Sequence, residues 1–295
     1  MTVLATLRGF ERDLGGGFRV RRMLPALARR SVGPFVFFDH FGPITVEPSS
    51  DVDVRPHPHI GLATVTYLFE GAMMHRDSLG SVQRIEPGAI NWMSAGRGIV
   101  HSERRPADLA TRRYSLHGLQ LWTALPHAHE ESLPNFAHTP AAALPEFEDG
   151  GATIRLLVGA AWGRKSPVVT LAATLYAVLR LRRGGAVAIP PIAEELAVYA
   201  ADQAIEIDGS PVDAHTLAIV EAARPCALRA AVGDANVVLI GGDRPDGPRK
   251  LWWNFVSSRP ERIEAAARDW QAGRMARIAG ESEFIPLPAN APGRN

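Results

Sequence analysis

The sequence predicts an all-β protein: two tandem jelly-roll β-barrels with a helix at the C-terminus. Strand-like apolar runs recur at short intervals between turn residues, with no helical periodicity until about residue 260. Gly 27 and Pro 23 among 295 residues favour turns and short strands over long helices. The pattern also repeats after a stretch rich in proline, alanine and acid, residues 138–151, which reads as a linker. These observations set an N-terminal domain at 1–137 and a second at 150–295.

Taken in order, Val3–Leu7 is the first expected strand, Gly15-Gly16-Gly17 a turn, and Phe18–Met23 the second strand. No strand-to-helix pattern follows the triple glycine, so it makes a poor phosphate loop. Pro34–Phe38 reads as a buried strand ending in a turn at Asp39-His40-Phe41-Gly42-Pro43. Thr64–Phe69 is β-branched and aromatic and closes on Glu70-Gly71. Turns at Ser78-Leu79-Gly80, Pro87-Gly88 and Ala95–Gly98 separate further strands at Ile90–Met93, Ile99–Glu103 and Leu116–Trp122. Beyond the linker, strands are expected at Thr153–Val158, Val168–Leu181, Leu196–Ala200, Ala204–Ile207, Thr216–Val220 and Val237–Gly241. Ser258-Arg259-Pro260-Glu261 has the form of a capping box, and Ile263, Ala266, Ala267 and Trp270 make one apolar face. A helix from about Pro260 to Met275, docked on a barrel, is the expectation.

Composition excludes several function classes. With 46% hydrophobic and 21% charged residues the chain is an ordinary globular protein rather than a disordered one. A net charge of +1 provides no broad basic field, so direct nucleic-acid binding is not expected, and Arg104-Arg105 and Arg182-Arg183 read as solvated surface. Cys226 is the sole cysteine, which rules out an intrachain disulfide and a Cys-rich zinc site; its apolar surroundings suit a small buried hydrophobe. No signal-peptide core or membrane-length apolar run is present, so a cytoplasmic location is expected. A Gly-x-Ser-x-Gly elbow is absent as well.

The chemistry concentrates in Arg55-Pro56-His57-Pro58-His59 and His101-Ser102-Glu103. Residues two apart on a strand face the same side, so His57 with His59, and His101 with Glu103, can each aim at one point. Two such strands side by side make a site of three imidazoles and one carboxylate, suited to a first-row divalent metal with positions left for water or substrate. His127-Ala128-His129 has the same spacing but lies in a polar segment between Pro126 and Glu130-Glu131, and reads as exposed loop. His75 and His117 are expected to act as hydrogen-bonded supports of a site, and Asp39 and His40 to make turn contacts. The second domain contains only His215 and assembles no metal site.

Several segments together resemble the pirin family of the cupin superfamily. They are Val32-Gly33-Pro34-Phe35 with Phe38–Pro43, Pro56-His57-Pro58-His59, Thr64–Leu68, His75–Gly80, Asn91–Glu103, His117–Trp122, Trp253–Ser258 and Glu283–Pro288. The resemblance implies a bicupin whose N-terminal barrel binds one divalent cation through His57, His59, His101 and Glu103, and whose C-terminal barrel is metal-free. It implies iron, Fe2+, with nickel, manganese, cobalt, copper or zinc as alternatives. One departure stands out: many pirins read Arg-Gly-Phe-Glu-Thr after the second histidine, where this chain has Ile60-Gly61-Leu62-Ala63-Thr64, a change expected to alter polarity near the pocket.

Some pirins are quercetin 2,3-dioxygenases, and the resemblance implies that activity here: a flavonol and dioxygen as substrates, Glu103 as the catalytic proton acceptor, and carbon monoxide as a product. The alternative is a non-enzymatic, iron-dependent redox sensor acting through a protein partner. A third reading is a cupin that binds a sugar or acid without chemistry.

Overall fold

The computed structural model describes residues 2–14 and 18–289. The turn expected at Gly15–Gly17 lies outside them. The chain forms two compact units, one of Met1–Glu11, Arg21–Asp39 and Thr139–Pro245, the other of Arg12–Val20, His40–His138 and Asp246–Asn295. Among the described residues no helix is long and apolar enough to cross a membrane.

The unit containing the His57 and His101 segments is built from two facing sheets. One has four strands in the order Val54–His59, Ile99–Arg104, Met73–Asp77 and Val82–Ile85. The other runs Asn135–Thr139, Ile90–Ser94, Leu62–Glu70, Tyr114–Ala124 and the second half of Phe35–Val46. Alternation explains the core, because every second side chain of a strand turns inward. Met73 and Ile85 from the first sheet meet Leu68, Leu116, Phe41 and Val46 from the second, all buried. The expected turn at Asp39–Pro43 is not there, since the strand continues to Val46. His40 is buried on that strand with its Nε2 2.7 Å from His117 Nε2, so it sits in a strand and not in a turn.

The other unit also has two sheets. Seven strands run in the order Val3–Leu7, Thr216–Val220, Glu195–Ala200, Ala235–Gly242, Thr174–Leu181, Ala152–Val158 and Glu146–Asp149. They face a four-stranded sheet of Ala186–Ile189, Cys226–Arg229, Ile205–Ile207 and Ser210–Val212. Ile154, Leu156, Leu179, Val198 and Leu239 of the larger sheet and Val187, Ile207 and Leu228 of the smaller share one core. Cys226 is buried in it, and burial pushes its thiol up to about 11, so it stays protonated at neutral pH. Asp39, expected in a turn, is buried here within the strand Phe35–Val46 and accepts two hydrogen bonds from Arg22 at 2.8 and 2.7 Å.

Further sequence expectations change. The strand Val3–Leu7 pairs with Thr216–Val220, so it belongs with the second run of strands and not with a domain at 1–137. Its sequence declares a strand without declaring a partner. The supposed linker contains Glu146–Asp149, which pairs with Ala152–Val158 across a tight turn, Phe147 opposite Ile154. The strand expected from Val168 starts only at Thr174; Val169 is 85% exposed.

The helix runs Pro260–Gln271 and packs Ile263, Ala266 and Ala267 against Ile60 and Phe255, placing it in the His57 unit rather than the second domain. Its N-cap is Arg259 without a side-chain cap, because Ser258 is occupied elsewhere: both its N–H and its hydroxyl donate to Glu130, each at 2.9 Å. Gly61, at φ +66°, lets the chain pass close beneath the segment that follows Phe255; a Cβ there would collide with the Val256 carbonyl oxygen.

Ile154→Ala, which empties a fully buried position of the larger core, is expected to destabilise the protein by about 2–5 kcal/mol. Val169→Ser is expected to stay within about 0.5 kcal/mol. Urea unfolding of the two variants beside the parent checks the pair.

Candidate metal centre

The first ligand strand sits at the edge of its sheet, which suits its two prolines. Pro56 and Pro58 lack N–H groups and share one parity, so the strand can still pair on its other side. That side meets Ile99–Arg104 in antiparallel register, with His57 opposite His101, Pro58 opposite Val100 and His59 opposite Ile99. The strands therefore bring together the residues that their sequences offer. His57, His59 and His101 are all buried, and one nitrogen from each lies within 4.8 Å of the other two. Their ring centroids are 4.4–4.9 Å apart. On the far side of Ile99–Arg104 lies Met73–Asp77, with Glu103 opposite His75.

Hydrogen bonds orient two of the three rings. His57 Nδ1 donates to the Arg55 carbonyl at 2.9 Å, and His59 Nδ1 to the Asn254 carbonyl at 3.0 Å. A carbonyl can only accept, so each Nδ1 carries the proton and each Nε2 keeps a free lone pair, the form that binds metal. His101 has no hydrogen-bond partner on either nitrogen, and neither has Glu103 Oε2. Glu103 Oε1 lies 3.5 Å from His101 Nδ1. The His59 ring also meets Trp122 edge-on at 5.1 Å.

Burial sets the electrostatics. It holds His57 down to about 4, and pushes His59 and His101 well below the usual imidazole range, with neighbouring imidazoles adding to the effect. All three are neutral imidazoles near pH 7. The same burial pushes Glu103 up to about 8, and no cation among the described residues compensates it. Neutral nitrogens with oriented lone pairs, beside a carboxyl that lacks a counter-charge, fit a divalent cation of the first transition row. The geometry brings the three histidines into one cluster and sets Glu103 beside His101.

The other histidines fall outside this cluster. His75 Nε2 is 3.0 Å from Asp77 Oδ2, and its ring stacks on Phe136 at 4.1 Å, 5.4 Å from the His101 ring. His127 and His129 lie on a 3-10 turn, where residues two apart diverge, and His127 is exposed. Ile60 does not line the cluster; its side chain is buried with Phe255 beneath the helix.

Sequence reasoning missed the support behind His59. Asn254 lies at the tip of a hairpin, Lys250–Trp252 with Phe255–Ser257, that docks where Val256 N–H donates to the Ile60 carbonyl at 3.2 Å. Buried Glu130, which the sequence showed only as part of the polar flank of His127-Ala128-His129, anchors that hairpin. It accepts from the Ser257 hydroxyl at 3.0 Å and lies 2.7 Å from Arg249 Nε, with both side chains of the ion pair 4% exposed. The one available signal was the Trp253–Ser258 segment quoted above, which marks the hairpin without naming its partners.

Similarity to known proteins agrees with this architecture. The pirin family model matches residues 17–123, and the model of the pirin C-terminal cupin domain matches 176–276. A pirin-like protein of Caulobacter vibrioides is 45% identical over 282 residues, covering 94% of this chain and 96% of its own. The chain belongs to the pirin family. Its two units are accordingly two cupin domains. A crystal structure of quercetin 2,3-dioxygenase from Acinetobacter baumannii matches with TM-score 0.89 and 33% identity, over 97% of this chain and 95% of that one. The crystal structure of the bacterial pirin YhhW from Escherichia coli, in complex with nickel(II), matches at TM-score 0.64 and 17% identity, over 81% and 99%, and so shares the fold.

Two predictions test the centre. Adding Fe2+ or Ni2+ to metal-stripped protein is expected to raise its melting temperature, by an amount corresponding to about 2.7 kcal/mol when free metal is a hundredfold above Kd. Protons compete for the same nitrogens, so the gain falls on acidification; His101→Ala abolishes it and His127→Ala does not. Glu130→Ala leaves Arg249 without its buried partner and is expected to destabilise the protein by about 3–5 kcal/mol, measured by urea unfolding.

Proposed function

We propose that this pirin is a metal-dependent flavonol dioxygenase of the quercetin 2,3-dioxygenase type, with one Fe2+ held by His57, His59, His101 and Glu103. The observation that carries it is the buried three-histidine cluster beside a carboxyl oxygen that makes no hydrogen bond among the described residues. The Acinetobacter baumannii structure titled quercetin 2,3-dioxygenase, similar over nearly the full length, supports the same class. When bound, the ion acts as a Lewis acid toward the 3-hydroxyl oxygen of the flavonol.

The chain's own groups have defined tasks. Glu103 Oε2, which makes no hydrogen bond to the described residues, is the acceptor of the 3-hydroxyl proton. The hydrogen bonds from His57 and His59 to the Arg55 and Asn254 carbonyls keep both rings fixed while substrate enters. Trp122 and Phe136, packed on the rings of His59 and His75, give the surroundings an apolar, aromatic character suited to a flat phenolic substrate. In the overall reaction both oxygen atoms of dioxygen enter the opened heterocycle, and one ring carbon leaves as carbon monoxide.

Iron-loaded protein is expected to consume quercetin with matching release of carbon monoxide, followed by absorbance and gas analysis. Glu103→Gln is expected to lower turnover by about 100–10,000-fold. An iron-loaded parent chain that releases no carbon monoxide would sink the enzymatic reading and leave a metal sensor working through a protein partner.

A further inference from the structure

The strands that carry the ligands have a second face. Pro56, Val100, Ser102 and Arg104 alternate with His57, His101 and Glu103, so they point to the opposite side of the sheet. The segment after the helix crosses this reverse side. Ile278 is buried at its start, and Leu287 packs near Phe255 at its end. Between them Ile285 N–H donates to the Pro56 carbonyl at 2.8 Å, on the open edge that the prolines leave unpaired. The Trp270 indole N–H donates to the Ile285 carbonyl at 2.9 Å and ties the segment to the helix.

The middle of the segment spans a cavity of about 680 Å³ lined by Pro56, Val100, Trp270, Met275 and Phe284, so polar contacts rather than close packing hold it there. The main one is Glu281. It accepts from the Ser102 hydroxyl at 2.6 Å and from Arg104 Nε at 3.0 Å. Ser102 and Arg104 are the two residues that flank Glu103. The Glu281 side chain is 9% exposed, against 53% for Glu283, which meets Arg55 Nε at 3.2 Å and also accepts from Arg104 Nη2 at 2.9 Å.

We propose that Glu281 is a positioning residue of the metal centre: from the reverse side of the sheet it grips both neighbours of Glu103 and so fixes the backbone that presents Glu103 and His101. This rests on the reading of His57, His59, His101 and Glu103 as a metal centre. A residue that merely fastened the C-terminal segment would leave the bound metal unchanged.

Cobalt(II) is the probe. Full-length parent, Glu281→Ala, Glu281→Gln and Glu283→Ala proteins are loaded with Co2+, and chelator-driven release and the visible spectrum of the bound ion are recorded. Glu281→Ala is expected to release Co2+ about 10–100-fold faster, with shifted bands. Glu281→Gln keeps an acceptor for Ser102 but loses its charge toward Arg104, and falls in between. Glu283→Ala removes the more exposed contacts to Arg55 and to Arg104 Nη2 but leaves both Glu281 contacts in place, and stays within about twofold of the parent. Far-UV circular dichroism verifies folding, and Glu281→Gln serves if Glu281→Ala does not fold. Parent-like release and spectra in the folded Glu281 variants overturn the proposal. A parent chain that takes up no Co2+ instead overturns the metal centre itself, which separates the two failures.

Discussion

The antiparallel pairing of Val54–His59 with Ile99–Arg104, His57 against His101, is the constraint on which the site depends. Side chains alternate with a period of two, so a slip of one residue in either strand would turn its ligands to the opposite face. The register is held from several directions. Pro56 and Pro58 restrict the first strand to pairing on one side, and Met73–Asp77 takes the other side of the second. The one irregularity in this ladder lies on the first strand, which takes three steps from His57 to Val54 while its partner takes two from His101 to Glu103, so the second strand keeps its regular alternation.

That geometry imposes an electrostatic condition. Three imidazoles and a carboxyl are buried where water cannot solvate them, and the described residues offer Glu103 no cation in return. The imidazoles respond by remaining neutral and the carboxyl by holding its proton more tightly. Both responses suit a divalent cation, which prefers neutral nitrogen lone pairs and compensates a carboxylate directly. Burial thus makes the same residues poor partners for one another and good partners for a metal.

Much of the surrounding architecture can be understood as support for these strands. The Trp252–Phe255 hairpin reaches the His59 ring because Glu130 holds its far end through Ser257 and Ser258 and pairs with Arg249. A buried ion pair of this kind gains stability only when its remaining hydrogen bonds are made, and here Glu130 accepts three from the two serines. The use of Ser258 in that network leaves the helix uncapped by a side chain. The helix is held instead by its apolar stripe against Ile60 and Phe255, so the residue directly after His59 serves packing rather than the pocket.

The amino-acid sequence by itself determined the ligand candidates, most of the strands and the two-barrel class. Each of these rests on a local property: alternation along a strand, turn residues between strands, and identical spacing in two different settings, which separated His57 and His59 from His127 and His129. Tertiary structure decided the rest. The partner of Val3–Leu7 lies more than two hundred positions away, and an apolar alternation matches any open sheet edge equally well. The helix's apolar stripe likewise fits either barrel, and only the fold chose Ile60 and Phe255. Asn254 behind His59, and Glu281 behind Glu103, act across comparable separations through a backbone carbonyl and a single carboxylate. Such contacts leave no periodic trace in a sequence, because one hydrogen bond constrains two positions without patterning the residues around them.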